Sequence, residues 1–195
     1  MSIIEIRHRH TNGVLFSGEY GSLRDAVLAA VAAGAYLAGA NLAGANLAGA
    51  YLAGANLANA NLADANFAGA YLADANLADA NLANAYLARA NLADANLARA
   101  NLAGAKWRDD IVLHRCPLQI SGLAYPVTIL DQHMQIGCEL HTLAEWEAFD
   151  NERIARMDGR ASRKFWDAHK VALLALAALD GRVAVTEPVA AGEAA

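Results

Sequence analysis

Cysteine is nearly missing from the 195-residue chain: Cys116 and Cys138 are the only two, too few for a disulfide framework. Proline is scarcer than in most chains, at three residues, so few positions interrupt a backbone hydrogen-bond ladder. Aromatic residues make up only 7% of a chain that is 56% apolar. Much of that apolar content is alanine, which buries little area, so any core must be narrow and rest on a second residue type. No long apolar run is present; Val171 to Leu179 is the longest in the C-terminal part and too short to span a bilayer. The N-terminus, Met1 to Arg7, lacks the uninterrupted apolar stretch of a signal peptide. The expectation is a soluble cytoplasmic protein with no membrane contact.

No stretch is dominated by charge of one sign. The net charge of −5 is spread out: residues 1–34 are neutral, 35–105 carry −2 and 106–195 carry −3. No segment is basic enough to track a phosphate backbone, which argues against direct nucleic-acid binding.

What is present is a period of five. From Ala35 to Gly104 the chain repeats Ala, Asn or Tyr, Leu, Ala and a variable residue fourteen times without a slip. Phe67 is the one exception at the Leu position, and a degraded fifteenth unit follows at Ala105 to Asp109. At 3.6 residues per turn the leucines would wander around a helix, and on a strand of period two they would alternate faces. The backbone must therefore turn a corner every five residues. Four corners close a coil of twenty residues, and fourteen units stack to roughly 17 Å at the usual inter-strand spacing. Leu fills the middle, Ala sits beside it, and the Gly and Asn of the variable position suit tight corners.

On these residues the segment resembles the pentapeptide-repeat proteins, over 70 of the 195 residues. The resemblance implies a mainly β fold, a right-handed quadrilateral β-helix, here with an N-terminal hairpin-and-helix cap and an α-helical C-terminal module.

Residues twenty apart should stack. One ladder is Asn41, Asn61, Asn81 and Asn101, whose amides can hydrogen-bond along the column. The others are Asn46, Asn66 and Tyr86; Tyr51, Tyr71 and Asn91; and Tyr36, Asn56, Asn76 and Asn96. Arg99 should pair with Asp79, while Asp94 should weakly repel Asp74. The first coil carries no charge, since Gly fills its four variable positions. A smooth surface of Ala, Gly, Asn and Tyr suits close packing on a flat partner, and it equally suits a solenoid with no partner at all. The candidate interaction residues are Tyr51, Tyr71, Tyr86, Asn41, Asn61 and Asn81.

An open stack needs caps. Residues 1–34 read as the N-terminal one: strands around Ile3–Ile6 and Val14–Phe16 joined across Asn12-Gly13, then a helix from Leu23 to Ala33. That helix has Ser22 as N-cap and Gly34 as stop, with Leu23, Val27, Leu28 and Val31 on its apolar face. Arg7, His8, Arg9 and His10 read as one solvated face of the first strand. The repeat domain spans 35–109. Residues 110–140 read as irregular strands that continue or cap the solenoid, 141–182 as a helical module opened by a Thr142/Glu145 capping box, and 183–195 as a flexible tail. Phe165, Trp166, His169, Leu173 and Leu176 recur at helical spacing. With Ile136-Gly137-Cys138, His141, Trp146, Met157 and Phe165-Trp166, this segment resembles the C-terminal part of uncharacterised bacterial and prophage pentapeptide-repeat proteins.

Chemistry has few candidates. Cys138 and His141 have a Cys-x-x-His spacing, but a zinc site would need Cys116, His114 or His133 to join them. As a nucleophile pair they lack an orienting carboxylate, although Glu139 and Glu145 are near in sequence. A buried structural pair is the expectation, with no metal, no cofactor and no enzymatic activity. The functional expectation is a protein–protein interaction scaffold whose partner is another protein or a second copy of the chain. The alternative comes from the quinolone-resistance branch of the family, which imitates DNA to inhibit or protect a type II topoisomerase such as gyrase. That branch uses Asp-rich outward columns. Here the residue before Leu is Asn or Tyr throughout, and only Asp64, Asp74, Asp79 and Asp94 supply negative charge.

Overall fold

The structure, a computed structural model, describes residues 1–182, so the expected flexible tail at 183–195 lies outside the described residues. The chain divides into two compact units, Met1–Pro117 and a second that begins at Leu118.

The first unit opens with an antiparallel hairpin of β1 (Ser2–Arg7) and β2 (Val14–Tyr20), followed by α1 (Leu23–Ala32). Ser22 caps α1 as expected, its side chain accepting from the Asp25 N–H at 3.1 Å. The buried stripe of α1 is Ala26, Val27 and Ala30, whereas Leu28 and Val31 are only half-buried. Alanine takes two of these three inner positions because α1 lies on both hairpin strands, where small side chains let the helix approach closely. The hairpin turn is also longer than an Asn-Gly pair. It runs from His8 to Gly13, closed by His8 N–H to Gly13 C=O at 2.8 Å, and only Asn12 takes a positive φ, +56°.

His8 does not belong to a solvated strand face. It bridges to Ala40, and the neighbouring bonds Arg9 N–H to Gly39 C=O and Asn41 N–H to Arg7 C=O, both 2.7 Å, bind the end of β1 to the first coil. Edge groups that would otherwise be bare are satisfied there. The His8 ring lies so close to Gly39 that a Cβ added to that glycine would fall 2.3 Å from Nε2.

From residue 35 to 104 the chain is a repeat β-helix. Parallel bridges join residues twenty apart, such as Asn41 to Asn61 and Tyr51 to Tyr71, so four units make one coil. Each unit holds a turn closed by the next unit's Ala N–H on the Leu or Phe67 carbonyl at 2.9–3.2 Å. The variable residue of all fourteen units has φ between 54° and 75°. A positive φ at the third residue of the turn is the type II arrangement, which favours Gly or Asn. Asp64, Asp74, Asp79, Asp94, Arg89 and Arg99 adopt it nevertheless, and the first three are held by N–H bonds to the next coil at 2.9 Å, such as Asp64 N–H to Ala83 C=O.

Inside, twelve of the thirteen repeat leucines are 2% exposed or less, and Leu92 is 7% exposed. Phe67 occupies the same axis fully buried, in the column Leu47, Phe67, Leu87 and Trp107. Trp107, buried on β3 (Lys106–Arg108), is the Leu-position residue of the degraded fifteenth unit. β3 pairs with β4 (Ile111–Val112), and Gly104 and Ala105 bond to the buried Leu113. These residues close the C-terminal end of the first unit.

The second unit is a four-stranded antiparallel sheet in the order β5 (Leu118–Ile120), β6 (Val127–Ile129), β7 (His133–Ile136) and β8 (Glu139–Thr142), followed by α2 (Leu143–Ala148) and α3 (Asn151–Leu179). The strands expected to continue the solenoid thus split differently. β3 and β4 belong with the coils, whereas β5 to β8 abandon the parallel twenty-residue pairing and form one apolar core with the helices. The reason is compositional: the five-residue phase ends, and Val127, Ile129, Met134 and Ile136 turn one face of the sheet onto Trp146, Ile154, Phe165 and Trp166 instead. β8 runs through the expected boundary at 140/141. The Thr142/Glu145 capping box is present in full. α3 breaks at Asp158 and Gly159, which have non-helical angles, and Ser162 pins the break by donating to the Ile154 carbonyl at 2.7 Å. Among the described residues no helix is long and apolar enough to cross a membrane.

Candidate interaction surface

The outward residues of the coils fall into columns. In the first, Asn61 donates from Nδ2 to Asn41 Oδ1 at 3.2 Å, Asn81 to Asn61 at 3.2 Å, and Asn101 to Asn81 at 3.1 Å. Each Oδ1 of Asn61, Asn81 and Asn101 also accepts from the backbone N–H two residues on, at 3.1–3.4 Å. Asparagine can do both because it carries a donor and an acceptor, whereas an aspartate column could only accept. Asn41, Asn61 and Asn81 are thus bound mainly to one another.

The tyrosine column behaves differently. The rings of Tyr51 and Tyr71 stack with centroids 4.5 Å apart and planes 4° from parallel, and they are 68% and 45% exposed. Stacking pre-orders two large apolar rings in water, with small residues around them. Asn91, which follows in this column, spends its Oδ1 on the Ala93 N–H at 3.1 Å. Tyr86 is on the neighbouring ladder, bridged to Asn66 and Lys106, so it does not join the stack. It is half-buried and its hydroxyl donates to the Asp109 carboxylate, which holds the phenol above its ordinary pKa.

Charge is sparse and partly self-cancelled. Arg99 meets Asp79 through two bonds, Nε to Oδ1 at 2.8 Å and Nη2 to Oδ2 at 2.7 Å. The guanidinium holds the Asp79 carboxyl below its ordinary value. One of the four aspartates that a DNA-like surface would need is therefore spent on Arg99.

Cys138 and His141 do not form a ligand pair. Cys138 is exposed and free. His141 places Nε2 3.1 Å from Glu139 and packs its ring edgewise on Trp146 and Phe149, with centroids 5.3 and 4.9 Å away. Cys116 lies in the first unit, its thiol donating to the Leu97 carbonyl at 3.2 Å. Among the described residues no group of three or more His, Cys, Asp or Glu could hold a metal ion. The feature that sequence reasoning passed over is a cleft of about 230 Å³ in the second unit, lined by residues between Tyr125 and Trp166. No local motif marks it, because its walls come from the β7–β8 turn, α2 and both sides of the break in α3.

Known proteins share the repeat. The family model for pentapeptide repeats matches eight copies, over residues 33–69 and 75–106. A pentapeptide repeat protein from Nostoc PCC 7120 is 42% identical over 42% of this chain and 73% of its own, with a TM-score of 0.38. One from the Arabidopsis thaliana thylakoid lumen is 34% identical over 33% of this chain and 45% of its own, with a TM-score of 0.33. HetL, a pentapeptide repeat protein of the same Nostoc strain involved in regulating heterocyst differentiation, is 32% identical over 37% of this chain and 40% of its own, with a TM-score of 0.27. This chain thus spans less than half of the length of the last two. No curated protein matches it. The five-residue phase, the twenty-residue bridging and these matches agree, and the chain belongs to the pentapeptide repeat family.

Proposed function

We propose that the protein is a non-enzymatic protein–protein interaction scaffold, a right-handed quadrilateral β-helix that presents the Tyr51–Tyr71 column to a protein partner. The observation that carries this reading is the stacked, exposed tyrosine pair on a face with no charge in the first coil. The backbone beneath is tied coil to coil by bonds such as Leu52 N–H to Tyr71 C=O and Tyr71 N–H to Ala50 C=O, 2.8 and 2.9 Å. A partner therefore meets rings already ordered, and little conformational entropy is lost on docking. Tyrosine is also a residue on which interface energy concentrates. A flat face without charge in its first coil, and with Asp74 and Asp94 at the corners beyond, fits another protein, including a second copy of this chain, better than it fits nucleic acid.

The test replaces both tyrosines by lysine. Sedimentation velocity of the purified protein and affinity capture from the native host should both change, with a species lost from at least one. Unchanged profiles in both would remove the tyrosine face from the proposal. The DNA-mimic alternative draws little support from the surface, where an amide ladder stands in place of an acidic column and Asp79 is paired. A gyrase supercoiling assay without inhibition at micromolar protein separates the two readings.

A further inference from the structure

The tyrosine face carries charge at one of its corners. Counted in steps of twenty, the corner that follows the column Tyr51, Tyr71 and Asn91 is Gly54, Asp74 and Asp94. The Asp74 N–H donates to the Ala93 carbonyl at 2.9 Å, which sets Asp94 one rung beyond Asp74, at the usual inter-strand spacing of about 4.8 Å. Both residues are exposed, and among the described residues neither carboxylate has an ion-pair partner. Asp79, by contrast, is held by Arg99. Asp74 and Asp94 therefore repel each other at positions whose φ, 59° and 54°, Gly or Asn would hold more readily. Nothing inside the chain offsets that cost.

The aromatic stack ends on the same rung. Tyr51 covers one face of the Tyr71 ring, and the next member of the column is Asn91, whose Oδ1 is bound to the Ala93 N–H at 3.1 Å. An asparagine is too short to cover a phenol, and Tyr71 remains 45% exposed. No cation of the chain uses this ring: among the described residues the cation–π pairs are Arg153 with Phe149 and Lys170 with Trp166. Arg89 stands at the opposite corner of the face, and its charge acts on the Tyr86 phenol of the neighbouring ladder. Two aspartates against one arginine leave the face negative.

We propose that this corner is a slot for an arginine side chain of the protein partner, whose guanidinium lies on the open part of the Tyr71 ring and spans the Asp74 and Asp94 carboxylates. This inference rests on the tyrosine face being the interaction surface, and it names the chemistry of what docks there. A guanidinium fits better than an ammonium because it is planar, stacks on an aromatic ring and forks its donors between two acceptors.

The probes are three peptides, acetyl-Gly-Arg-Gly-amide and its lysine and citrulline counterparts, titrated into the full chain and followed in ¹H–¹⁵N spectra. The arginine peptide should bind with a Kd near 10 mM, the combined worth of one exposed cation–π contact and two exposed ion pairs. Its shifts should centre on the amides of Asn91, Ala93 and Asp94. Citrulline, which keeps the shape and loses the charge, should bind about tenfold more weakly, and lysine about threefold. Asp74→Asn combined with Asp94→Asn should bring the arginine peptide down to the citrulline level. Asparagine accepts the same φ, so that variant should fold, and a persisting Tyr51–Tyr71 ring contact in NOE spectra checks it. If it does not fold, the three peptides on the unaltered protein decide the matter. Equal binding of arginine and citrulline overturns the slot, as does equal binding of arginine and lysine. So do shifts centred elsewhere, or no arginine binding by about 20 mM, twice the expected Kd. If any of these occurs while replacing the tyrosines by lysine still costs a bound species, the slot falls and the tyrosine face stands.

Discussion

Replacing the middle of the asparagine ladder tests the coil architecture and its surface chemistry together. Asn61 makes three side-chain bonds: it donates to Asn41, accepts from Asn81 and accepts from the Ala63 N–H, at 3.2, 3.2 and 3.4 Å. The column is at least partly exposed, so the freed partners can rehydrate, and each lost bond counts at the low end of the usual range, about 0.5 kcal/mol. Asn61→Ala should therefore destabilise by about 1.5 kcal/mol. Asn61→Asp keeps both accepting bonds and loses only the donation to Asn41, so it should cost about 0.5 kcal/mol plus a small repulsion between facing oxygens. Converting Asn41, Asn61 and Asn81 together to Asp adds two adjacent carboxylate pairs. At the ladder spacing of about 4.8 Å each pair repels by about 1 kcal/mol in water, for a total near 3 kcal/mol with the lost bonds. Repulsion raises the folded-state carboxyl pKa values above the unfolded value. The folded variant then takes up protons that the unfolded chain does not, so its stability recovers as pH falls from 7 through that window. Salt should recover part of it as well. Repeat arrays can unfold in parts, so amide hydrogen exchange at Ala63 and its neighbours is the preferred readout beside urea denaturation. Loss of less than about 0.5 kcal/mol in Asn61→Ala, or a triple variant indifferent to pH and salt, would refute the reasoning.

Three further perturbations follow from the geometry. Arg89→Gly relieves a positive φ of 61° at an exposed corner and should raise stability by about 1 kcal/mol in chemical denaturation. Arg99→Ala should raise the NMR titration midpoint of Asp79, because the guanidinium bonds that lower it are gone. In the unaltered protein that pairing stabilises above the unfolded carboxyl pKa and fades as pH falls through the depressed folded value. Thr142→Ala removes the side-chain half of the capping box at α2 and should cost about 1 kcal/mol. The same change should raise the Glu145 midpoint, which the Thr142 N–H and then its hydroxyl hold down, and carboxyl-detected NMR would show it.

Much of the first unit was legible because its order is written in one dimension. A period of five with one large apolar residue per unit admits few backbones, and the ladders, the Arg99–Asp79 pair and the corner positions are counted off in steps of twenty. The Ser22 cap and the Thr142/Glu145 box were equally readable, since both are satisfied within four residues. His8 was misread because its partner, Gly39, lies thirty-one positions away and nothing local announces the contact. On α1 the expected face holds at Val27, while Leu23, Leu28 and Val31 are only half-buried for the same reason. Which side of a short, alanine-rich helix turns inward depends on how closely the hairpin approaches it.

The sequence by itself therefore determined that residues 35–104 coil with their leucines inward, because only a corner every five residues returns each one to the axis. It also determined which columns would be amide, aromatic or charged, since those follow from counting. Tertiary structure alone decided that β5 to β8 leave the solenoid for an antiparallel sheet, that His141 serves an aromatic cluster, and that Trp166 buries an indole N–H without a partner. Those outcomes depend on side chains from separate strands and helices meeting in one core. Their energies belong to the packing of many residues at once and have no signature in any short stretch of chain.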